Sequence, residues 1–376
     1  ALSGLVRRRG RSAVPPSDRP TRADGGRTAR GLTMQDVARA AGVSVSTVSR
    51  VVNGDRYVGG ATRARVEAAV ADLGFHPNRM AQKLRPGRPT DTIALVIEDV
   101  SNPFYAAIAE GVDSVAQQHR HLLILGTTRR SVDQEREVLA ELLRRRVDGL
   151  LVVPSGPDHL ETYDRLGRWA PMVFIDRRPR GLAGDAVVLD NRGATRRVVT
   201  SLVGAGHHRI AYLGGAPSVF TGQRRLAGYR SALADAGIPV DAGLVRLDNH
   251  DTAAARSAGL DLLAAARPPT AVFADNNRMT VGLLRAVHES GRDVAVAGYD
   301  DVELADLLRV PLTVVSYDAT ELGRRAAGLL FDRIDGYQGP PRRVTVPTSI
   351  THHPTGGPPP ARQPDPGARR PARSPG

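Results

Sequence analysis

The chain contains no cysteine. Disulfides, thiolate metal sites and cysteine nucleophiles are therefore excluded, and the composition fits a reducing cytosol. Long apolar stretches are missing too: the longest, such as Gly149 to Pro154, have strand length, so no membrane span is expected. Residues 1–31 carry arginines but no apolar core of signal-peptide length. The expectation is a soluble, cytoplasmic protein. Lysine is almost absent, Lys83 being the single example, a bias that a GC-rich genome produces and that carries no mechanism.

Positive charge is present, and its location is informative. Of the formal +13, residues 1–31 contribute about +6, 32–90 about +5, 352–376 about +3 and the long middle about −1. Basic flanks attract phosphate without regard to sequence, whereas a near-neutral middle suits ligand binding or dimerisation. At 376 residues and 41% hydrophobic, the chain has material for two or three domains with a sizeable core. Residues 1–31 hold too few large apolar side chains to order themselves and read as a disordered basic extension, or as an upstream stretch read from a misplaced start codon. Residues 352–376 read as a disordered Pro/Arg-rich tail, without the leucine heptads that would tetramerise a chain.

The most informative segment is LTMQDVARAAGVSVSTVSRVVN, Leu32 to Asn53. Ala38 and Gly42, four residues apart, let two short helices cross closely and supply a turn with positive φ. Val37, Ala41, Val43, Val48 and Val51 put one apolar face on each helix, and Thr33 and Ser44 stand where N-caps belong. The second helix would expose Val45, Ser46, Thr47, Ser49 and Arg50, small or polar residues with one arginine, which suit the major groove. A third helix, Ala61 to Leu73, completes a helix-turn-helix unit.

From residue 92 to 350, strand and helix patterns alternate. Strands are expected at Thr92–Ile97, Leu122–Leu125, Leu150–Val153, Val173–Ile175, Val187–Leu189, Ile210–Leu213, Ala271–Phe273, Val294–Ala297 and Thr313–Val315. Helices are expected at Pro103–Gln118, Asp133–Arg145, Gly193–Ala205, Arg224–Ala236, Thr252–Ala265 and Arg278–Glu289. This alternation predicts parallel sheets with crossover helices, and the turn-rich passage near Arg177–Gly184 predicts a break between two consecutive doubly wound lobes with a ligand cleft between them.

Catalysis finds little support. The adjacent pairs Asp300–Asp301, His207–His208 and His352–His353 would point to opposite faces of a strand rather than share an ion, and no GxSxG, Walker A or HExxH pattern occurs. Neither catalytic residues, nor a metal, nor a cofactor are expected.

Taken in order, Thr33 to Arg85, TIALVIEDVSNPFYAAIAEGV (92–112), VDGLLVVPS (147–155), LVGAGHHRIAYLGG (202–215), RRLAGYRSAL (224–233) and VAVAGYDDVELA (294–305) resemble the lactose-repressor (LacI/GalR) family of transcriptional regulators. The resemblance covers about 320 residues and implies an N-terminal all-α helix-turn-helix head, a short hinge helix and an α/β core of two doubly wound parallel-sheet lobes, periplasmic-binding-protein-like, that binds a small effector. The implied boundaries are 1–31 extension, 32–77 head, 78–91 hinge helix and linker, 92–351 effector-binding and dimerisation core, and 352–376 tail.

By resemblance, Val45, Ser46 and Arg50 read bases, while Thr33, Ser44, Thr47, Ser49, Asn53 and Asn78 complete the DNA-facing set. Arg50 suits guanine, Ser46 several bases and Val45 a thymine methyl. Asn78 to Leu84 matches the hinge helix, too short to be stable alone, with Leu84 as the minor-groove wedge, Ala81 allowing close approach of its dimer mate and Pro86 ending it. For the effector, the resemblance implies the aromatics Phe104 and Tyr105, Arg225 and Asp300, with Asp190, Thr221, Asn276 and Tyr317 as weaker additions beside Asp99, and Asn249 or His250 from a stretch that is hard to register. An arginine and an aspartate facing one cleft with an aromatic platform hold a polyol by paired hydrogen bonds. The implied protein is a homodimeric repressor whose partners are double-stranded operator DNA and a small effector, a carbohydrate, with no membrane partner. The alternatives are a regulator with a nucleobase-like corepressor and a periplasmic-type sugar-binding protein without a DNA role, against which Leu32–Arg85 argues.

Overall fold

A computed structural model describes residues 32–52, 54–55, 57–75, 89–156, 160–179, 181–303, 305–308 and 310–354. Two compact units result, meeting in sequence between Arg85 and Pro86. Asn53, Asn78 and Leu84, the expected hinge helix and the extension 1–31 lie outside the described residues.

In the first unit α1 (Met34–Ala41), α2 (Val45–Val52) and α3 (Gly60–Leu73) close around Val37, Ala38, Ala41, Val48, Val51, Val66, Ala69 and Phe75. Thr33 starts α1 through a reciprocal capping box with Asp36. Gly42 ends it at φ 61°, a left-handed turn in which a side chain would be strained, and Val43 N–H bonds back to Ala38 O at 3.0 Å. Ser44 Oγ then caps α2, accepting from Thr47 N–H at 3.1 Å.

The described residues of the second unit build two six-stranded sheets. One runs, in spatial order, β11 (Arg343–Val346), β5 (Asp185–Leu189), β4 (Met172–Asp176), β3 (Gly149–Val152), β1 (Thr92–Ile97) and β2 (Leu122–Thr127). The other runs β12 (Ser349–His353), β10 (Leu312–Ser316), β9 (Ala295–Tyr299), β8 (Ala271–Ala274), β6 (Ile210–Leu213) and β7 (Val245–Arg246). Pairing is parallel except between β10 and β12, and central strands such as β1 are buried along their whole length, as sheets covered on both faces require. Lobe 1 carries α4 (Pro103–Gln118), α5 (Val132–Arg144), α6 (Leu160–Gly167) and α11 (Ala319–Ile334); lobe 2 carries α7 (Asn191–Gly204), α8 (Phe220–Asp235), α9 (Thr252–Ala264) and α10 (Asn277–Ser290). Helix α11 lies so close to α4 that a Cβ at Gly111 or Gly323 would collide with the carbonyl of Thr320 or Ile108.

Two expectations are corrected. The lobes are interwoven rather than consecutive: β5 remains in lobe 1, and the chain crosses after Leu189, again between Ser316 and Ala319, and again between Val346 and Ser349. The passage at Arg177–Gly184 is a loop within lobe 1, since β4 and β5 pair side by side. The described part of the tail is also ordered, because His352 and His353 pair with Thr313 and Leu312 in the β10–β12 ladder, which fills hydrogen bonds that composition does not reveal. Among the described residues no helix is long and apolar enough to cross a membrane.

Candidate functional site

Parallel strands deliver their C-terminal ends, and the N-caps of the following helices, to one side of a sheet, which is where open α/β sheets bind ligands. Here both sheets do so toward one cavity of about 290 Å3. Lobe 1 contributes Glu98, Asn102, Phe104, Tyr105, Asp176 and Arg177, and lobe 2 contributes Thr221, Arg225, Asn249, Asp275, Asn276 and Asp300, among others.

Asp300 follows β9 at φ 71° and accepts from the Asn277 N–H at 3.1 Å and from the Tyr317 hydroxyl. Arg225, buried in α8, donates Nε to Asn191 Oδ1 at 2.7 Å and Nη1 to the Asp275 carbonyl, and its guanidinium lies 3.6 Å above the Tyr299 ring. Burial opposes its charge, but Asp300 and Asp176 outweigh that penalty and raise its pKa. Asp176 ends β4 at φ 67°; one carboxylate oxygen accepts from Arg177 Nε at 3.2 Å, while the buried Oδ1 has no hydrogen-bond partner among the described residues. Burial pushes the Asp176 pKa up, against the pull of Arg177 and Arg225. Burial likewise pushes Asp275 up to about 6, opposed by Arg225, the Gly215 N–H at 3.0 Å and the Tyr212 hydroxyl at 3.3 Å.

Three contacts join the lobes across the cavity rim. Asn277 Nδ2 donates to Asn102 Oδ1 at 2.8 Å, Arg130 donates to the His250 carbonyl, and Arg278 donates to Asp99 and to Ser101 Oγ. The Ser101 N–H and Arg278 hold the Asp99 pKa down to about 2.

Of the residues singled out from the sequence, Phe104, Tyr105, Thr221, Arg225, Asn276 and Asp300 share the cavity wall, with Asn249 and His250 beside them. Tyr317 is not in the cavity wall but supports it from behind, donating to Asp300 and meeting the Phe104 ring edge-on at 6.0 Å. Asp190 is not part of the wall: as the N-cap of α7 its side chain turns back to accept from Gly193 N–H at 2.9 Å and pairs with Arg197 at 3.4 Å. Glu98, Asp176, Arg177 and Asp275 were not expected. The available signal was positional, an acidic residue directly after a strand-length apolar run in FIDR and VFAD. Arg177 is the most connected of them, bonding Glu98 at 2.7 Å, the Tyr105 hydroxyl at 3.1 Å and the Pro154 carbonyl at 3.2 Å.

In the first unit, Val45, Ser46 and Arg50 are exposed on α2, and the Arg50 side chain is 68% exposed, with Asp55 no closer than 4.0 Å. Ser44 Oγ lies 2.8 Å from both Ser46 Oγ and Thr47 Oγ1, so one hydroxyl organises the start of this helix. Thr33 is engaged with Asp36, whose pKa that hydrogen bond lowers. Tyr57, 95% exposed after α2, is an aromatic the sequence reading passed over.

Residues 33–78 match the family described as "Bacterial regulatory proteins, lacI family", and residues 199–353 match "Periplasmic binding protein-like domain". The chain is 35% identical to the HTH-type transcriptional regulator GalS of Salmonella typhimurium over 309 residues, 81% of this chain and 91% of that one. Among solved structures it resembles the transcriptional regulator CelR–cellobiose complex, at 35% identity and TM-score 0.64, over 86% of this chain and 99% of the other. It also resembles the lac repressor dimer bound to operator and the anti-inducer ONPF, at 28% identity and TM-score 0.75, over the same shares of 86% and 99%.

Proposed function

Because this chain belongs to the lacI family of bacterial regulatory proteins, we propose that α2 reads operator DNA and that the cavity between the lobes holds the carbohydrate effector that controls this reading. The protein is a DNA-binding transcriptional regulator and not an enzyme. The observation that carries the effector assignment is a facing pair of unspent groups: Asp176 Oδ1 lacks a donor, and Arg225 makes no hydrogen bond through Nη2 among the described residues. A hydroxyl both donates and accepts, so a polyhydroxylated ring satisfies both at once. A second hollow of about 190 Å3 shares Ser155, Arg177, Ser218 and Val219 with the cavity and adds Phe220 and Gln223, which gives room beyond one sugar ring.

On DNA, Arg50 donates to a guanine, Ser46 to base edges, and Val45 packs on a thymine methyl, while Ser44, Thr47, Ser49 and the exposed Tyr57 lie toward phosphates. Two copies of the chain, acting in the cytoplasm, place two such helices on one operator, with Leu84 wedging the minor groove. Effector and operator are then reciprocally coupled.

Thermal unfolding of the full chain against panels of carbohydrates and nucleobases tests the cavity. A true effector at a hundred times its Kd adds about 2.7 kcal/mol. It must also shift operator affinity, and a panel in which nucleobases alone stabilise the protein overturns the carbohydrate assignment. Arg50→Ala is expected to cost about 1–3 kcal/mol at one base position per half-site; equal loss on random DNA would demote Arg50 to a phosphate contact.

A further inference from the structure

At the opposite end of lobe 1, away from the effector cavity, the N-terminal ends of three neighbouring strands bring together Asp91, His121 and Asp148. Each precedes its strand by one residue: Asp91 before β1, His121 before β2 and Asp148 before β3. Their proximity follows from the register, which aligns Thr92 with Leu122 and Ile93 with Gly149. One ligand atom from each lies within 4.8 Å of the other two.

The hydrogen bonding of His121 gives this cluster its chemistry. Nδ1 lies 2.8 Å from the His119 carbonyl oxygen, which only accepts, so Nδ1 carries the proton. In the neutral ring Nε2 then presents a bare lone pair. It is sealed from solvent, has no hydrogen-bond partner among the described residues, and faces Asp148 Oδ2 at 3.4 Å. The His121 and Asp148 side chains are only 13% and 12% exposed, so water screens this opposition poorly. A lone pair held against carboxylate oxygens is resolved by a cation, and an imidazole whose other nitrogen donates to a backbone carbonyl is the usual arrangement of a metal-ligating histidine.

We propose that Asp91, His121 and Asp148 form a divalent-metal site, with the imidazole favouring a borderline ion such as zinc over magnesium or calcium. Bonds of about 2.0–2.2 Å span at most roughly 4.3 Å between two ligands, so ligand atoms within 4.8 Å of one another need close by no more than about half an ångström on binding. Three protein ligands leave one position for water. The site has a structural reach as well. Asp148 also accepts from the Thr90 N–H at 2.8 Å and the Thr92 N–H at 3.2 Å, and so fastens the chain where it enters the core after residues 76–88. A bound metal adds Asp91 to that fastening.

Cobalt titration of the untagged full chain, followed by visible absorption, tests the proposal. The expected result is a saturable one-to-one complex with the d–d bands of a low-coordinate site, displaced by one equivalent of zinc. His121→Gln and Asp91→Asn should each weaken cobalt binding at least tenfold, and His208→Gln, exposed on lobe 2, should leave it unchanged. Unchanged thermal unfolding of the apo variants separates loss of the site from loss of the fold. Bands that survive in His121→Gln, binding at several weak sites, or no complex at all would overturn it.

Discussion

At corresponding strands, β4 and β9, lobe 1 and lobe 2 each place an aspartate in the left-handed region at or just after the strand end, and each sets a buried arginine nearby, yet the two corners are wired differently. In lobe 1 the arginine is spent and the aspartate is not: Arg177 bonds Asp176, Glu98, Tyr105 and Pro154, while Asp176 keeps an unfilled oxygen. In lobe 2 the reverse holds. Asp300 is tied at both oxygens, by Asn277 and Tyr317, while Arg225 keeps part of its fork free above the Tyr299 ring. A ligand between the lobes therefore has a free donor on the lobe 2 side and, on the lobe 1 side, an unfilled acceptor that is sealed from solvent and that it reaches only by displacing the groups covering it. Closing the cleft on it satisfies both.

The largest effect should come from the spent arginine. Arg177→Met leaves Glu98 and Asp176 buried without their main partner, at a cost of about 3–5 kcal/mol in denaturant unfolding. Arg225→Lys, which keeps charge but loses the fork, should cost less stability and abolish the effector response instead. If Arg225→Lys proved the more destabilising of the two, the contrast between the lobes would fail.

The second effect is on pH dependence. Burial raises the folded-state pKa of Asp275 to about 6 from its ordinary 3.8, so between these values the folded state holds a proton the unfolded state has lost. Stability must then fall as pH rises through that window, by about 3 kcal/mol in total, and urea melts from pH 4 to 7 should record the decline. Asp275→Asn should flatten it; a slope that survives this substitution assigns the titration to another group.

Smaller differences should separate the two aspartates by calorimetry with the identified effector. Asp300→Asn disturbs a carboxylate that receives two protein donors and should weaken the effector by about 1–3 kcal/mol, whereas Asp176→Asn only weakens an open acceptor, at about 1 kcal/mol. Equal losses would mean that the ligand does not distinguish the corners. The smallest effect belongs to the rim. The Asp99 side chain is about a third exposed and that of Arg278 about a quarter, so Asp99→Ala should cost only about 0.2–1 kcal/mol, and less at high salt.

How far the sequence carried this reading depended on where each residue's meaning comes from. Local signals sufficed for the head, since Gly42, Thr33 and Ser44 announce turn and caps within a few residues, and for the buried central strands. Arg225, Asp300 and Phe104 were legible through motifs that hold several positions in order. Glu98 and Arg177 were not, because their pairing spans 79 residues and exists only once β1 and β4 lie in one sheet. Strands β11 and β12 escaped notice for a related reason: short, half-exposed and alternating, they are edges whose partners lie far back in the chain. Helix α11 had a clear apolar face in Leu322, Ala326, Leu329 and Leu330 and was nonetheless missing from the expected elements.

The interweaving of the lobes also sets a timetable for synthesis. Lobe 1 has received its first five strands by Leu189, but α11, which covers β3, β4 and β5, starts only at Ala319, 130 residues later, and β11 follows at Arg343. At about 5–20 residues per second, the ribosome leaves that sheet bare for roughly 6–26 seconds. During this interval β5 is an open edge and one apolar face lacks its cover, the condition under which nascent chains recruit chaperones or pair with each other. The lobe that begins first stays incomplete until nearly the whole chain has been made, since only β12 of lobe 2 follows β11.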